Sequence, residues 1–264
     1  MKRILVTFSI AFFLALPAML PLFGQREAVV LHRPVWRGPA QYAPVQFKVC
    51  DHDANGVAFP CRFDSPVTAG SILAQFGVGG CEDLSCKYVS DSQGNDWKFI
   101  ISGHSLAFNA KPGITTVYFN NMRWPIIAEY PCPSGACSLD DVVSATYADD
   151  GLTPAGVEIH DNAGWAGVHR FGSSALSPLE THESCELLLS WALAGQGTPV
   201  AGPSFTMRAY NPFPNDCAGG VSCGSLAVED STAMIPGYYM ASMSWRYPNA
   251  WEQRAAAIRM GGCK

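Results

Sequence analysis

The feature that most limits what this chain can become is a hydrophobic period of two. In "SILAQFGV", Ile72, Ala74, Phe76 and Val78 fall on one side of an extended backbone, and in "DWKFIIS" Trp97, Phe99 and Ile101 do the same. The alternation recurs in "TTVYFN", "GVEIH" and "SFTMRAY". It gathers apolar groups on one face of a strand, whereas a helix would need a period of 3.6. "ELLLSWALA" is apolar without interruption and reads as a central strand covered on both faces. The intervening "DSQGND", "AKPGIT", "GQGTPVAGP" and "NPFPNDCAGG" are turn chemistry in almost every residue. About ten strands at these spacings predict an all-β, antiparallel β-sandwich or jelly roll of concanavalin-like or immunoglobulin-like architecture. "NAWEQRAAAIRM" carries helix-forming alanines, but the Pro-Asn turn before it fits a closing strand better.

Lys2 and Arg3 precede "ILVTFSIAFFLAL", an apolar run too short and too early for a membrane span, and this predicts a secretory signal over residues 1–24. The expected organisation continues with an extended segment over 25–44 and a single β-sandwich domain over 45–264. No cysteine falls in the first 49 residues, against lipid anchoring of the amino terminus, and no later apolar run is long enough for a membrane span. The expected location is therefore extracellular or periplasmic. Without Lys2 and Arg3, 15 basic residues face 22 acidic ones, a net charge of −7. With no basic cluster, nucleic acid and anionic membrane are poor partners.

Ten cysteines behind an export signal predict a disulfide framework. Spacing suggests four local pairs: Cys50 with Cys61, Cys81 with Cys86, Cys132 with Cys137, and Cys217 with Cys223. Each brackets turn residues and would pin a hairpin or loop, which leaves Cys185 for Cys263. Zinc is the rival for closely spaced cysteines, but it favours tighter pairs or histidine partners, and the compartment favours oxidation.

The order "SPVTAGSILAQFGVG", "VSDSQGNDWKFI", "GITTVYFN", "IIAEY", "ESCELLLSWALAG", "LAVEDSTAM" and "WEQRAAAIRM" resembles a group of secreted bacterial β-sandwich modules of acidobacterial type, often found beside immunoglobulin-like repeats. The resemblance spans roughly residues 45 to 260 and implies a sandwich fold, with no catalytic residues to carry over. The chain departs from that pattern in most of its cysteines and in the insertions "YPCPSGACSLDD" and "PNDCAGGVSCGS".

Within "CDHDANGVAFPC", Asp51, Asp53 and Asn55 alternate before Gly56, as at the start of an EF-hand-like calcium loop. Position twelve is Arg62 where that loop needs a bidentate Glu, so a hairpin tip between "VQFKVC" and "VAFPCRF" is the preferred reading and calcium the alternative. No other cofactor is expected. Gly-x-Ser-x-Gly and His-Glu-x-x-His are both missing, and "HESCE" at His182 has no second histidine. Retaining glycosidases need two carboxylates about 5 Å apart, and neither Glu158 beside His160 nor Glu129 alone forms such a pair on one strand. Glu229 and Asp230 read as acids beside a turn. The most polar, aromatic-punctuated segment is "EIHDNAGWAGVHRFG", where His160, Asp161, Trp165 and His169 are candidate ligand-binding residues on a loop. Trp124 and Trp36 could likewise offer flat faces to sugars, against the commoner use of tryptophan in a core.

These readings lead to a secreted, non-catalytic binding or surface-interaction module, with carbohydrate as the expected ligand class and an extracellular glycan or protein surface as partner. The alternatives are a secreted glycan-active hydrolase of concanavalin-like fold and a structural envelope or matrix component.

Overall fold

The structure is a computed structural model that describes residues 42–53, 57–78, 89–101, 103–147, 158–160, 173–175, 178–194, 199–212, 225–244 and 251–261. Two compact units divide the chain, Met1–Val35 and Trp36–Lys264, and every described residue belongs to the second. All regular structure among the described residues is strand, in antiparallel sheets packed as sandwich-like layers.

A five-stranded sheet runs in the order β1 (Gln46–Val49), β8 (Arg123–Tyr130), β3 (Ile72–Val78), β6 (His104–Ala107) and β5 (Trp97–Ile101). Against it packs a six-stranded sheet in the order β10 (Glu158–His160), β9 (Ser138–Tyr147), β19 (Trp251–Arg259), β13 (Glu186–Ala194), β16 (Ser225–Ala233) and β15 (Thr206–Pro212). Ile72, Ala74, Phe76, Ile126 and Tyr130 from the first sheet meet Leu187, Leu189, Trp191, Val228 and Ile258 from the second in one buried cluster. Such a core stabilises by about 25 cal/mol for each Å² of apolar surface taken from water.

Both large sheets are also covered on the outer side of their central strands. Leu73, Ala107 and Ile127 are covered by a small sheet in the order β2 (Cys61–Arg62), β7 (Thr116–Phe119) and β4 (Val89–Asp91). Leu188, Ala192, Ala227, Ala255 and Ala257 lie under β11 (Ser173–Ala175), β18 (Ser242–Ser244) and β14 (Val200–Ala201), together with the ribbon β12 (Leu179–Thr181) and β17 (Gly237–Tyr239). Consecutive side chains of β3, β13 and β19 are consequently buried on both sides. The alanines of β19 belong there because Ala255 and Ala257 face one layer while Ala256 faces the other. β13 is interior to its sheet and covered on both faces, as its unbroken apolar run predicts.

Nineteen strands are found among the described residues, against about ten expected, because the covering layers are built from segments of two to four residues that give little periodic signal. In β5 the expected single face is broken by a bulge between Phe99 and Ile101, which sends Trp97 and Phe99 to the small-sheet core and Ile101 to the central one.

Two disulfides are described in full. Cys50 joins Cys61 with Cα atoms 5.5 Å apart, and Cys132 joins Cys137 with Cα atoms 5.9 Å apart. The second closes the turn between β8 and β9. The first does more than bracket the expected reversal: β1 pairs with β8 and β2 pairs with β7, so the bond also ties the five-stranded sheet to its covering sheet. Cys185 is buried and disulfide-bonded, while its expected partner Cys263 lies outside the described residues. The expected pair of Cys81 and Cys86 also lies outside them, as does that of Cys217 and Cys223.

Candidate functional site

Trp165, Asp161 and His169 lie outside the described residues, as do the signal segment, Trp36 and Asn55. The backbone of His160 is described, at the end of edge strand β10 opposite Val143. Trp124 belongs to the core. It is only 6% exposed, packs in the central cluster, and has the Arg123 guanidinium 5.8 Å from its ring centre, so it offers no open face for stacking.

Between Cys50 and Cys61 the chain reverses sharply. His52 bridges Ala58, the Asp53 N–H donates to Val57 O at 3.0 Å, and the Val57 N–H donates to the Asp53 carboxylate at 2.8 Å. Asp53 therefore closes the turn with its own side chain, the local role that makes Asp a turn residue. Among the described residues no group of three or more His, Cys, Asp or Glu is arranged to hold a metal.

A described surface feature with recognition chemistry lies on the two-stranded ribbon. In β12 and β17, Leu179 pairs with Tyr239 and faces the core, while Glu180 pairs with Tyr238 on the outer side. Tyr238 is 70% exposed, and its hydroxyl donates to Glu180 Oε1 at 3.2 Å. His182, two residues beyond Glu180, brings Nε2 to 3.8 Å from the same oxygen. Ile235 and Met240, in the same stretch of chain as Tyr238, are also exposed. An aromatic ring, a carboxylate and an imidazole thus stand together on a narrow ribbon.

The ribbon is fixed from behind. Thr181 exchanges hydrogen bonds of 3.0 Å with the backbone of Gly237, and the Glu180 N–H donates to Asp141 at 2.8 Å. Asp140, at the start of β9, is the extra residue of a bulge, since Asp141 pairs with Ala257 and Leu139 with Ile258. That bulge turns its carboxylate onto the ribbon, a common use of bulges beside functional residues. There it receives His182 Nδ1 at 2.9 Å, the His182 N–H at 3.0 Å and the Arg259 guanidinium. Glu186, wholly buried at the head of β13, accepts the N–H groups of His182 and Glu183 at 2.8 and 2.6 Å.

Burial raises the Glu186 carboxyl to about 7, with the adjoining Asp140 pushing the same way and the Glu183 and His182 N–H groups opposing. For Asp140 burial works against ionisation, but hydrogen bonds from the His182 and Glu186 side chains and the His182 N–H, with the Arg259 charge, hold it below the usual carboxylate value. His182 is raised from 6.5 by its hydrogen bond to Asp140 and then by that carboxylate's charge.

Other buried acids serve the fold. Glu129 accepts the Thr68 N–H at 2.7 Å and the Gln46 amide at 2.6 Å, tying the edge strand β1 to its neighbour. Glu229 and Asp230, expected beside a turn, are wholly buried within β16. Asp230 takes Arg208 Nε at 2.8 Å and the Tyr130 hydroxyl at 3.1 Å, and Glu229 takes the Gly202 N–H at 2.9 Å. His104 is sandwiched between Phe76 and Trp191, and burial lowers it to about 3, so it is neutral. Beside Trp191 and Arg254 there is a cleft with room for little more than a water molecule.

The ribbon residues escaped the sequence reading, although faint signals were present. Glu180 and His182 are two apart in "LETHE" and so share a strand face, and "IPGYYM" sets Tyr238 and Met240 on the opposite face from Tyr239. Nothing local connects these two stretches. No family model matches this chain, and no curated protein or solved structure does.

Proposed function

We propose that the protein is a secreted, non-catalytic binding module that takes carbohydrate on the β12–β17 ribbon. The observation that carries this reading is the exposed Tyr238 ring paired with Glu180 and His182. A sugar has an apolar C–H face and a rim of hydroxyls; the ring serves the first by stacking, while the carboxylate and imidazole serve the second by hydrogen bonding. The ribbon's anchoring by Thr181, Asp141 and Leu179 supports it, because a platform that is already ordered loses little entropy when a ligand arrives. The absence of catalysis is supported by the buried carboxyls Glu129, Asp141, Glu186, Glu229 and Asp230. Each is engaged by at least one backbone N–H or by Arg208, and none is posed towards an open cleft among the described residues. Export into an oxidising compartment is supported by the described disulfides.

The test is a glycan-array screen of the oxidised protein and of its Tyr238→Ala variant. Saturable binding that weakens at least about tenfold in the variant, the loss expected for an aromatic stack worth about 1.4 kcal/mol, is the expected result. Binding that survives the substitution would move the site elsewhere, and silence of the native protein would refute carbohydrate as the ligand.

A further inference from the structure

Glu186 Oε1 is fully used by the N–H groups of His182 and Glu183, but Glu186 Oε2 is buried with no donor among the described residues. Its neighbour is the Asp140 carboxyl, itself an acceptor already serving His182 and Arg259. Two carboxylates in hydrogen-bonding contact away from water cannot both be ionised at modest cost. One proton resolves both problems, since on Glu186 Oε2 it turns an orphaned acceptor into a donor to Asp140. Asp140 is the partner equipped to stay anionic, because the imidazole, a backbone N–H and the guanidinium all converge on it.

We propose that the Asp140–Glu186 pair is a proton-operated latch: the shared proton closes the 182–186 turn and holds the Tyr238 platform in place, and losing it releases the turn and weakens binding there. The effect on binding rests on the reading of the ribbon as the ligand site; the latch itself does not.

The groups facing the pair come from every element around it. β9 supplies Asp140 and Asp141, and β12 supplies Glu180. The turn supplies His182 and Glu183, β13 Glu186 and β19 Arg259, while Tyr238 of β17 reaches the network through Glu180. As pH rises past about 7, Glu186 loses its proton beside an anion. His182 loses its own above its ordinary 6.5, removing its positive charge from Asp140. The Arg259 guanidinium, with a side chain 38% exposed, offsets the new repulsion only partly. The backbone N–H groups favour ionised Glu186, so they act against release, and burial together with Asp140 outweighs them. Release begins in a strained place, because Cys185 inside the turn holds a left-handed backbone with φ of 62°.

The experiment is amide hydrogen exchange of the oxidised, ligand-free full chain between pH 5.5 and 8.5, corrected for the base-catalysed rise of the intrinsic rate. In the native protein the His182 and Glu183 amides should open about tenfold more for each pH unit from 5.5 up to the Glu186 midpoint near 7, and level off above it, where the carboxyl is ionised in the closed turn as well. Glu186→Gln keeps an acceptor for the backbone and a permanent donor for Asp140, so its corrected rates should lose the rise below the Glu186 midpoint and keep only the change that His182 brings above 6.5. Asp140→Asn removes the opposing anion and should move the native midpoint to lower pH. Corrected rates that are flat in the native protein, or a Gln variant that follows the native curve, would overturn the latch. Should the Gln variant fail to fold, the midpoint of the native protein against that of Asp140→Asn decides, with coincident midpoints refuting the idea. Because no ligand is present, this outcome is independent of the glycan array.

Discussion

Asp230 and Glu186 are both wholly buried carboxyls on adjacent strands of the six-stranded sheet, yet they are made tolerable in opposite ways. Asp230 meets a cation: Arg208 Nε lies 2.8 Å from each of its oxygens, with the Tyr130 hydroxyl alongside. Burial still raises it to about 6, with Arg208 as the largest opposing influence. Glu186 meets another acid, and its cations, His182 and Arg259, lie one residue away on Asp140. The difference teaches where a carboxylate's partner is fixed and where it can change. An arginine keeps its proton at any pH the fold survives, so the tie to Asp230 has a constant cation, and only the acid itself titrates as pH falls through about 6. A proton shared between carboxyls is exchangeable, so the Asp140–Glu186 arrangement responds to its surroundings.

The comparison breaks most severely if the fixed tie is cut. Arg208→Met should cost about 3 kcal/mol in urea unfolding at pH 7, because it strands a buried carboxylate. At pH 5 the loss should be visibly smaller, since Asp230 can then take a proton. The whole-protein pH profile should come next in size. Glu186, Glu229 and Asp230 are raised to about 7, 8 and 6 from 4.5, 4.5 and 3.8. The unfolded chain therefore releases these protons first, and stability falls as pH rises from about 4 through 8. Each such group costs up to about 1.4 kcal/mol per pH unit within its window. His182 adds to the decline above 6.5 because its folded value is raised, while Asp140, whose value is lowered, contributes stability that is lost only on acidification below 3.8. Thermal melts from pH 4 to 9 should peak on the acidic side; a peak above pH 7 would contradict the assignments.

Glu186→Gln sharpens the contrast, being nearly neutral at pH 5 and stabilising by about 1 kcal/mol at pH 8, where the native side chain is ionised. Chemical denaturation at the two pH values measures this. The smallest effect on stability should come from Tyr238→Ala, within about 0.5 kcal/mol, because the ring is exposed. A larger loss would make Tyr238 a structural residue and weaken its role as a platform.

The same contrast separates what could be read in the sequence from what could not. β3 and β13 were legible as strands because their apolar patterns are long and local, and β19 because of the Pro-Asn turn that leads into it. The hairpin expected across Cys50–Cys61 was half right: the reversal at Asp53 is local chemistry, whereas the separation of β1 and β2 into different sheets depends on pairing with the distant strands β8 and β7. Trp124 looked like a stacking residue, and only the packing of distant strands shows it in the core. The ribbon site has the same origin. Asp140, Glu180, Glu186, Tyr238 and Arg259 come from five strands, and a bulge that no composition signals aims Asp140 at the others. Glu229 and Asp230 resembled surface acids because acids are rarely buried without partners, and Arg208 lies on a neighbouring strand.

The most direct test of the central claim is hydrogen exchange at pH 6 with and without the best-bound glycan from the array. Slowed exchange confined to residues 178–183 and 237–240 is the predicted footprint. Protection elsewhere, with these two segments unchanged by a saturating glycan, would contradict the assignment of the site to the ribbon.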